Sequence, residues 1–265
     1  MHAAVRAAAS NLVHREARLR ARCDMRSVHA LRVAARRLRA LLWSMKPWVK
    51  RAPYRACTRH LQAISRQLAS LRDLDVIRDV LSAQVTVKAG LSAAQRRRMD
   101  IDIRRQRADV TQDLRAAMRS ARYRQQSRQV LDLLAGPALF RRSLPAGTAP
   151  WRQRILKGVD HVDRRAHRAG GKDLHRIRIL AKRCRYALEA LGPEAPRDTH
   201  RRMQGLQALL GRYCDMRLAA TWLAEPDSLR DQPLRKQLLR AARDLAERRA
   251  RAALRVLHGR DGYCG

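Results

Sequence analysis

The sequence predicts an all-α protein built on an internal repeat, and three observations carry that prediction. Apolar residues recur at helical spacing along almost the whole chain, and no alternating stretch reads as a strand. Proline and glycine gather between these periodic runs rather than inside them. One stretch, Val28-His29-Ala30-Leu31-Arg32-Val33-Ala34-Ala35-Arg36-Arg37-Leu38-Arg39, recurs as Leu174-His175-Arg176-Ile177-Arg178-Ile179-Leu180-Ala181-Lys182-Arg183-Cys184-Arg185.

On a helical wheel, His29, Arg32, Arg36 and Arg39 share a sector of about 80°, and Val28, Leu31, Ala35 and Leu38 fill the adjoining sector of similar width. The second copy repeats this division, with His175, Arg178, Lys182 and Arg185 on the basic side and Leu174, Ile177, Ala181 and Cys184 on the apolar side. A basic run alone describes a solvated face. A histidine and three cations returning in register describe a surface held to a purpose.

The elements follow in order. Residues 3–22 form a first helix that ends near Cys23-Asp24. The repeated stretch is the second, from Ser27 as N-cap to Lys46, where Pro47 sets the boundary. Pro53, in a position where a first turn tolerates proline, opens a long third helix that reaches Gln84, with a turn over 88–90. On it Arg55, Arg59, Gln62 and Arg66 make a stripe about 60° wide, opposite Leu61, Ile64, Leu68 and Leu71, and Asp73 lies on the basic stripe. Residues 91–119 form a charged fourth helix and 122–134 a shorter fifth.

Gly136, Pro137, Pro145, Gly147 and Pro150 make the clearest break, dividing the chain into halves 1–140 and 141–265. Residues 151–168 match the first helix, Gly170-Gly171 is a turn, and 172–191 is the second copy of the repeated helix. Gly192-Pro193 stops it, and Pro196 opens the counterpart of the third helix. There Arg197, Arg201 and Gln204 match Arg55, Arg59 and Gln62, while Met203, Leu206, Leu210 and Tyr213 match the apolar stripe. Asp215 matches Asp73, Ala208 replaces Arg66, and Cys214-Asp215-Met216-Arg217 replaces Arg72-Asp73-Leu74-Asp75, so the second half is expected to hold an anion less fully on this helix. A last helix runs to about His258, and residues 259–265 are predicted to be a loose tail.

A chain of 265 residues is long enough to bury a sizeable core. Its formal charge of +36 exceeds what solubility needs and implies a polyanionic partner. With 46 % hydrophobic residues it is no disordered basic tail. Only seven of the 59 basic residues are lysines; the arginine fork suits phosphate oxygens, though base composition of a genome gives the same bias. Aromatic residues are 4 % of the chain, few for stacking single-stranded bases. The cysteines at 23, 57, 184, 214 and 264 include no C-x-x-C pair and read as reduced thiols of a cytoplasmic protein, Cys184 in the core. No apolar run approaches the ~18 residues of a membrane span. The arginine-rich start resembles an organellar presequence, but the whole chain shares that bias and no cleaved leader is expected.

The paired His-x-x-Arg-x-x-x-[Arg/Lys]-Arg-x-Arg helices, each followed by a helix ending near Leu-x-x-x-x-Asp, resemble the CHAD family, the conserved-histidine alpha-helical domains. The resemblance covers nearly the whole chain. It implies two helical bundles related by a pseudo-twofold axis, their basic faces lining a central cavity, which bind inorganic polyphosphate and associate with polyphosphate granules. By matched position it points to His29, Arg32, Arg36, Arg37 and Arg39, and to His175, Arg178, Lys182, Arg183 and Arg185. Arg55, Arg59, Arg197 and Arg201 extend the stripe, and Arg66 belongs to the first half alone. Arg37 and Arg183 lie at the edge of the wheel. Asp73 and Asp215 are expected to act as clamps on arginines rather than as catalysts.

A phosphate polymer has about one charge per unit and no bases, so a cationic track without stacking platforms suits it, and its binding is expected to fall steeply with salt. Phosphate or sulfate ions can stand in for it. Packed or surface histidines are the ordinary alternative for His29 and His175, and a metal is disfavoured because no cysteine or carboxylate sits at ligand spacing beside them. Asp73 and Asp75 point to different sides of a helix, and none of the five glutamates forms the Glu-x-Glu-x-Lys pattern of the CYTH triphosphatase module fused to some CHAD domains. There is no Walker loop. No catalytic residue, cofactor or metal is therefore expected. Arginines of the fourth and last helices read as solvated faces paired with acids. The other readings are a nucleic-acid binder using bulk charge, for which nucleic acid is here only a competitor polyanion, and an accessory subunit of a phosphohydrolase. The oligomeric state is not set by the sequence.

Overall fold

The computed structural model describes residues 1–259. The expected loose tail beyond Gly259 and Cys264 lie outside the described residues. The helices are α1 (His2–Ala21), α2 (Met25–Ser44), α3 (Arg51–Gln67), α4 (Ala69–Val80), α5 (Thr86–Lys88), α6 (Ala93–Arg119), α7 (Ala121–Ala135), α8 (Ala149–His167), α9 (Leu174–Leu191), α10 (Arg197–Ala224) and α11 (Gln232–Leu257). A π turn, Leu81–Val85, joins α4 to α5. The class is all-α. Among the described residues the only strand-like pairing is one antiparallel bridge, Val49 with Phe140.

Two details depart from the expected boundaries. The N-cap of α2 is Asp24, and Ser27 is its third residue, each closing a capping box with the other: Ser27 N donates to Asp24 Oδ1 at 2.7 Å and Asp24 N to Ser27 Oγ at 3.1 Å. Those bonds hold the Asp24 carboxyl below its usual range, the Ser27 backbone N–H most of all. The long third helix is interrupted at Leu68. There Ser65 Oγ bonds back to the Leu61 carbonyl at 2.8 Å, a geometry that bends helices. The Ser65 carbonyl, which an unbroken helix would offer to Ala69, accepts from Arg32 Nη1 at 3.3 Å.

Compactness divides the chain along different lines from repetition. One unit gathers Met1–Arg72, Thr111–Asp160 and Lys182–Met203; the other gathers Asp73–Val110, His161–Ala181 and the chain from Gln204 onward. Each half of the sequence, 1–140 and 141–265, contributes to both units.

In the first unit, the apolar faces read from the sequence are inside: Val28, Leu31, Ala35 and Leu38 of α2 are fully buried, with Leu61 of α3 and Leu188 of α9. Each such leucine contributes about 1.5–3 kcal/mol. Cys184 is core as well. The buried Ser44 hydroxyl accepts from Trp151 Nε1 at 2.8 Å and donates to the Leu41 carbonyl at 2.7 Å, which ties α8 to the end of α2 without an unsatisfied polar group. Gly158 lets α8 approach Trp43, since a Cβ there would sit 2.7 Å from Trp43 Cη2.

The second unit has its own core, formed by Ile77, Leu81, Val85, Met99, Ile103, Met216, Leu223, Leu234 and Leu238 among others. Asp75, 1 % exposed, takes Arg107 Nε at 2.8 Å. This corrects the reading of α6 as uniformly solvated: its arginine at 107 closes a buried ion pair.

Candidate polyanion-binding clusters

Helix α2 is anchored through its apolar face, which fixes the direction of the adjoining basic face. On that face His29 keeps an exposed edge while cations crowd the ring. Partial burial, first, and then the positive charges of Arg72, Lys182, Arg36 and Arg32 draw its imidazole below the ordinary value. Those residues come from α2, α4 and α9. Nearly three turns further along α2, Arg39 is likewise lowered, by burial and by Arg183 and Arg66, against an opposing effect of Tyr54. Within this unit, therefore, residues of the first copy stand with Lys182 and Arg183 of the second.

Several neighbours are held by the protein itself. Arg37 Nη2 meets Glu189 Oε2 at 3.0 Å, Arg185 pairs with the same carboxylate, and His200 Nε2 lies 3.7 Å from it. Arg185 also lies over the Tyr186 ring at 4.4 Å from its centre, and Arg37 at 5.7 Å. Arg183 and Arg154 stack on Trp43 at 5.4 and 5.8 Å. Arg55, Arg59 and Arg66 are exposed on α3. Arg197 and Arg201 are exposed on α10, Arg201 in a surface pair with Asp198 at 2.5 Å.

The second unit carries a separate cluster. Arg178 Nη2 donates to Asp215 Oδ1 at 3.0 Å, joining α9 to α10. Arg249 of α11 donates through Nη2 to the Gln84 side chain. Its guanidinium is disfavoured by burial, then by Arg212, and supported by Asp215. His175 is exposed on α9, and Asp73 is half-buried on α4.

Arg72, Arg212, Arg249 and Glu189 were not read from the sequence as site residues. Arg72 has Cys214 as its repeat counterpart, so it looked like a departure from the pattern. Arg249 was assigned to a solvated face, and the structure corrects this: it follows Ala242 by two turns and precedes Ala253 by one, both fully buried. That periodicity was the available signal.

Chemically, both clusters offer forked, charge-assisted donors to oxyanions. Among the described residues no group of three or more His, Cys, Asp or Glu is placed to hold a metal ion. No helix among them is long and apolar enough to cross a membrane.

A family model described as CHAD domain matches residues 3–224. The fold is similar to that of PptA from Streptomyces chartreusis, with TM-score 0.75 and 20 % identity over 97 % of this chain and 95 % of that one. It is similar also to the CHAD domain from the plant Ricinus communis, with TM-score 0.74 and 21 % identity over 97 % and 91 % of the two chains. No curated protein sequence matches.

Proposed function

The chain belongs to the CHAD family, and from that premise we propose that it is a non-catalytic binder of inorganic polyphosphate, working in the cytoplasm on polyphosphate granules. The observation that carries this reading is the composition of the His29 neighbourhood. The charges that draw that ring below its ordinary value are those of Arg72, Lys182, Arg36 and Arg32. Gathering like charges costs free energy that a bound polyanion offsets. A linear phosphate chain presents oxygens to every cation in turn and asks for no aromatic platform. Glu189 keeps Arg37 and Arg185 in place, which leaves the His29 side of α2 as the face presented to the polymer.

Competition binding tests the reading. Long-chain polyphosphate is expected to displace RNA or DNA from the protein at physiological salt, with orthophosphate and sulfate as weak competitors. If nucleic acid instead holds against polyphosphate, the protein is a nucleic-acid binder. Release of orthophosphate from polyphosphate in the presence of Mg²⁺ would overturn the non-catalytic assignment.

A further inference from the structure

A small cavity lies between the end of α1 and the last turns of α6, with all of its walls in the first unit. Leu19, Leu114 and Met118, each at most 5 % exposed, give it an apolar floor. The exposed residues Arg20, Arg115 and Arg119 and the half-buried Cys23 complete the lining, which contains no carboxylate. Arg20 is held from two sides: its Nη2 donates to Glu16 Oε1 at 2.8 Å, and its guanidinium lies 5.7 Å from the centre of the Tyr123 ring. Arg115 and Arg119 stand one turn apart on α6 and have no acid partner among the described residues. Of the acids nearest in sequence, Asp24 is committed to the cap of α2, and Asp113, two residues before Arg115, lies on another side of α6. Two guanidiniums therefore flank the apolar floor uncompensated.

The polyphosphate reading uses none of these residues, and an apolar floor gives nothing to a polymer that presents oxygen at every unit. An organic anion uses both parts, as small-molecule sites do when a hydrophobic lining is joined to a few placed polar groups. The cavity has a volume of about 80 Å³. At about 10–15 Å³ for a water-sized group, it takes a body of about five to eight non-hydrogen atoms. We propose that it is a binding site for a compact organic monocarboxylate. The hydrocarbon body covers Leu19, Leu114 and Met118, whose thioether adapts to its shape. The two carboxylate oxygens accept from the guanidiniums of Arg115 and Arg119 by charge-assisted hydrogen bonds.

Calorimetric titration of the full chain at physiological salt tests this with benzoate, whose ring suits the size of the cavity, and with its neutral analogue benzamide. The wild type is expected to bind benzoate at least about tenfold more tightly than benzamide. Arg115→Gln combined with Arg119→Gln is expected to reduce that ratio to about twofold or less. Arg97→Gln combined with Arg105→Gln, an equal change of charge at exposed positions of the same helix, is expected to leave it in place. Cys23 locates the ligand: saturating benzoate, but not benzamide at the same concentration, is expected to slow its alkylation by iodoacetamide about fivefold or more, read by peptide mass mapping. Equal affinity for benzoate and benzamide overturns the proposal. Equal losses in the two double variants do so as well, since bulk charge would then be the cause, and this comparison decides the matter where Cys23 does not react. Alkylation of Cys23 that saturating benzoate leaves unchanged places the anion elsewhere and overturns it too. Displacement of benzoate by tripolyphosphate at equal concentration would assign the cavity to phosphate instead. Failure of any of these leaves the polyphosphate reading untouched, because the two concern different residues.

Discussion

Lys182 of α9 places its charge on His29 of α2, so a residue of the second repeated helix helps to keep the histidine of the first one neutral. The consequence is a pH dependence of opposite sign for the free and the bound protein. The His29 pKa is lowered from 6.5 in the folded chain, so folding stability from this group is complete above that value and is lost as pH falls through 6.5 toward the lowered value. A bound polyanion reverses the charge around the ring and raises its pKa. Affinity for polyphosphate is expected to rise as pH falls through the same window, and His29→Gln to flatten that rise while leaving binding at alkaline pH in place. Titrations across the range measure both.

His60 adds to the acid sensitivity of the unliganded protein. It is 8 % exposed, its Nε2 lies 3.2 Å from Ser127 Oγ, and burial draws its pKa below 6.5 against the opposing charge of Glu16. Its contribution is likewise lost as pH falls through that value. In thermal melts without ligand, His60→Gln is expected to reduce the drop in Tm between neutral and mildly acidic pH.

Salt dependence measures how many cations meet phosphate. Four surround His29, and at about −0.7 per neutralised charge they alone give a slope of log K against log salt near −3. Removing Arg36 as glutamine is expected to lower the slope by about 0.7. An unchanged slope would place Arg36 away from the polymer.

Gly158→Ala tests how the basic face is supported. In an exposed helix the change would gain about 0.5–1 kcal/mol. Here the new Cβ would lie 2.7 Å from Trp43 Cη2 and 3.4 Å from Cys184 Sγ, and overpacking of this kind costs about 1–3 kcal/mol. The clash wins, so Tm is expected to fall.

In the second unit, Asp75→Ala is expected to destabilise by about 3–5 kcal/mol, because it breaks the buried ion pair with Arg107. Asp215→Ala, removing a half-exposed partner, is expected to cost no more than about 1 kcal/mol. Denaturant unfolding of the two variants measures the difference.

The sequence made the inward faces legible because burial obeys one period: Leu31, Leu38, Ile177 and Leu206 are all inside. It made the basic face of α2 legible for the same reason. Interruption at Leu68 was not expected: Ser65, whose hydroxyl bonds back to the Leu61 carbonyl, is its only local trace, and the Arg32 guanidinium that takes the Ser65 carbonyl comes from another helix. Glu189 was hidden too, because its partners Arg37 and His200 arrive from other helices. Arg72 and Arg249 escaped for a different reason. Arg72 breaks the repeat, with Cys214 as its counterpart, and Arg249 lies on a helix whose arginines read as a solvated face.

The most direct test compares two variants of equal charge. One replaces Arg32, Arg36, Arg72 and Lys182 by glutamine; the other does the same to Arg97, Arg105, Arg115 and Arg119, exposed on α6. With helicity checked by circular dichroism, long-chain polyphosphate binding at physiological salt is expected to fall at least about a hundredfold in the first and less than about threefold in the second. Equal losses in the two would show that overall charge, and not the cluster around His29, holds the polymer.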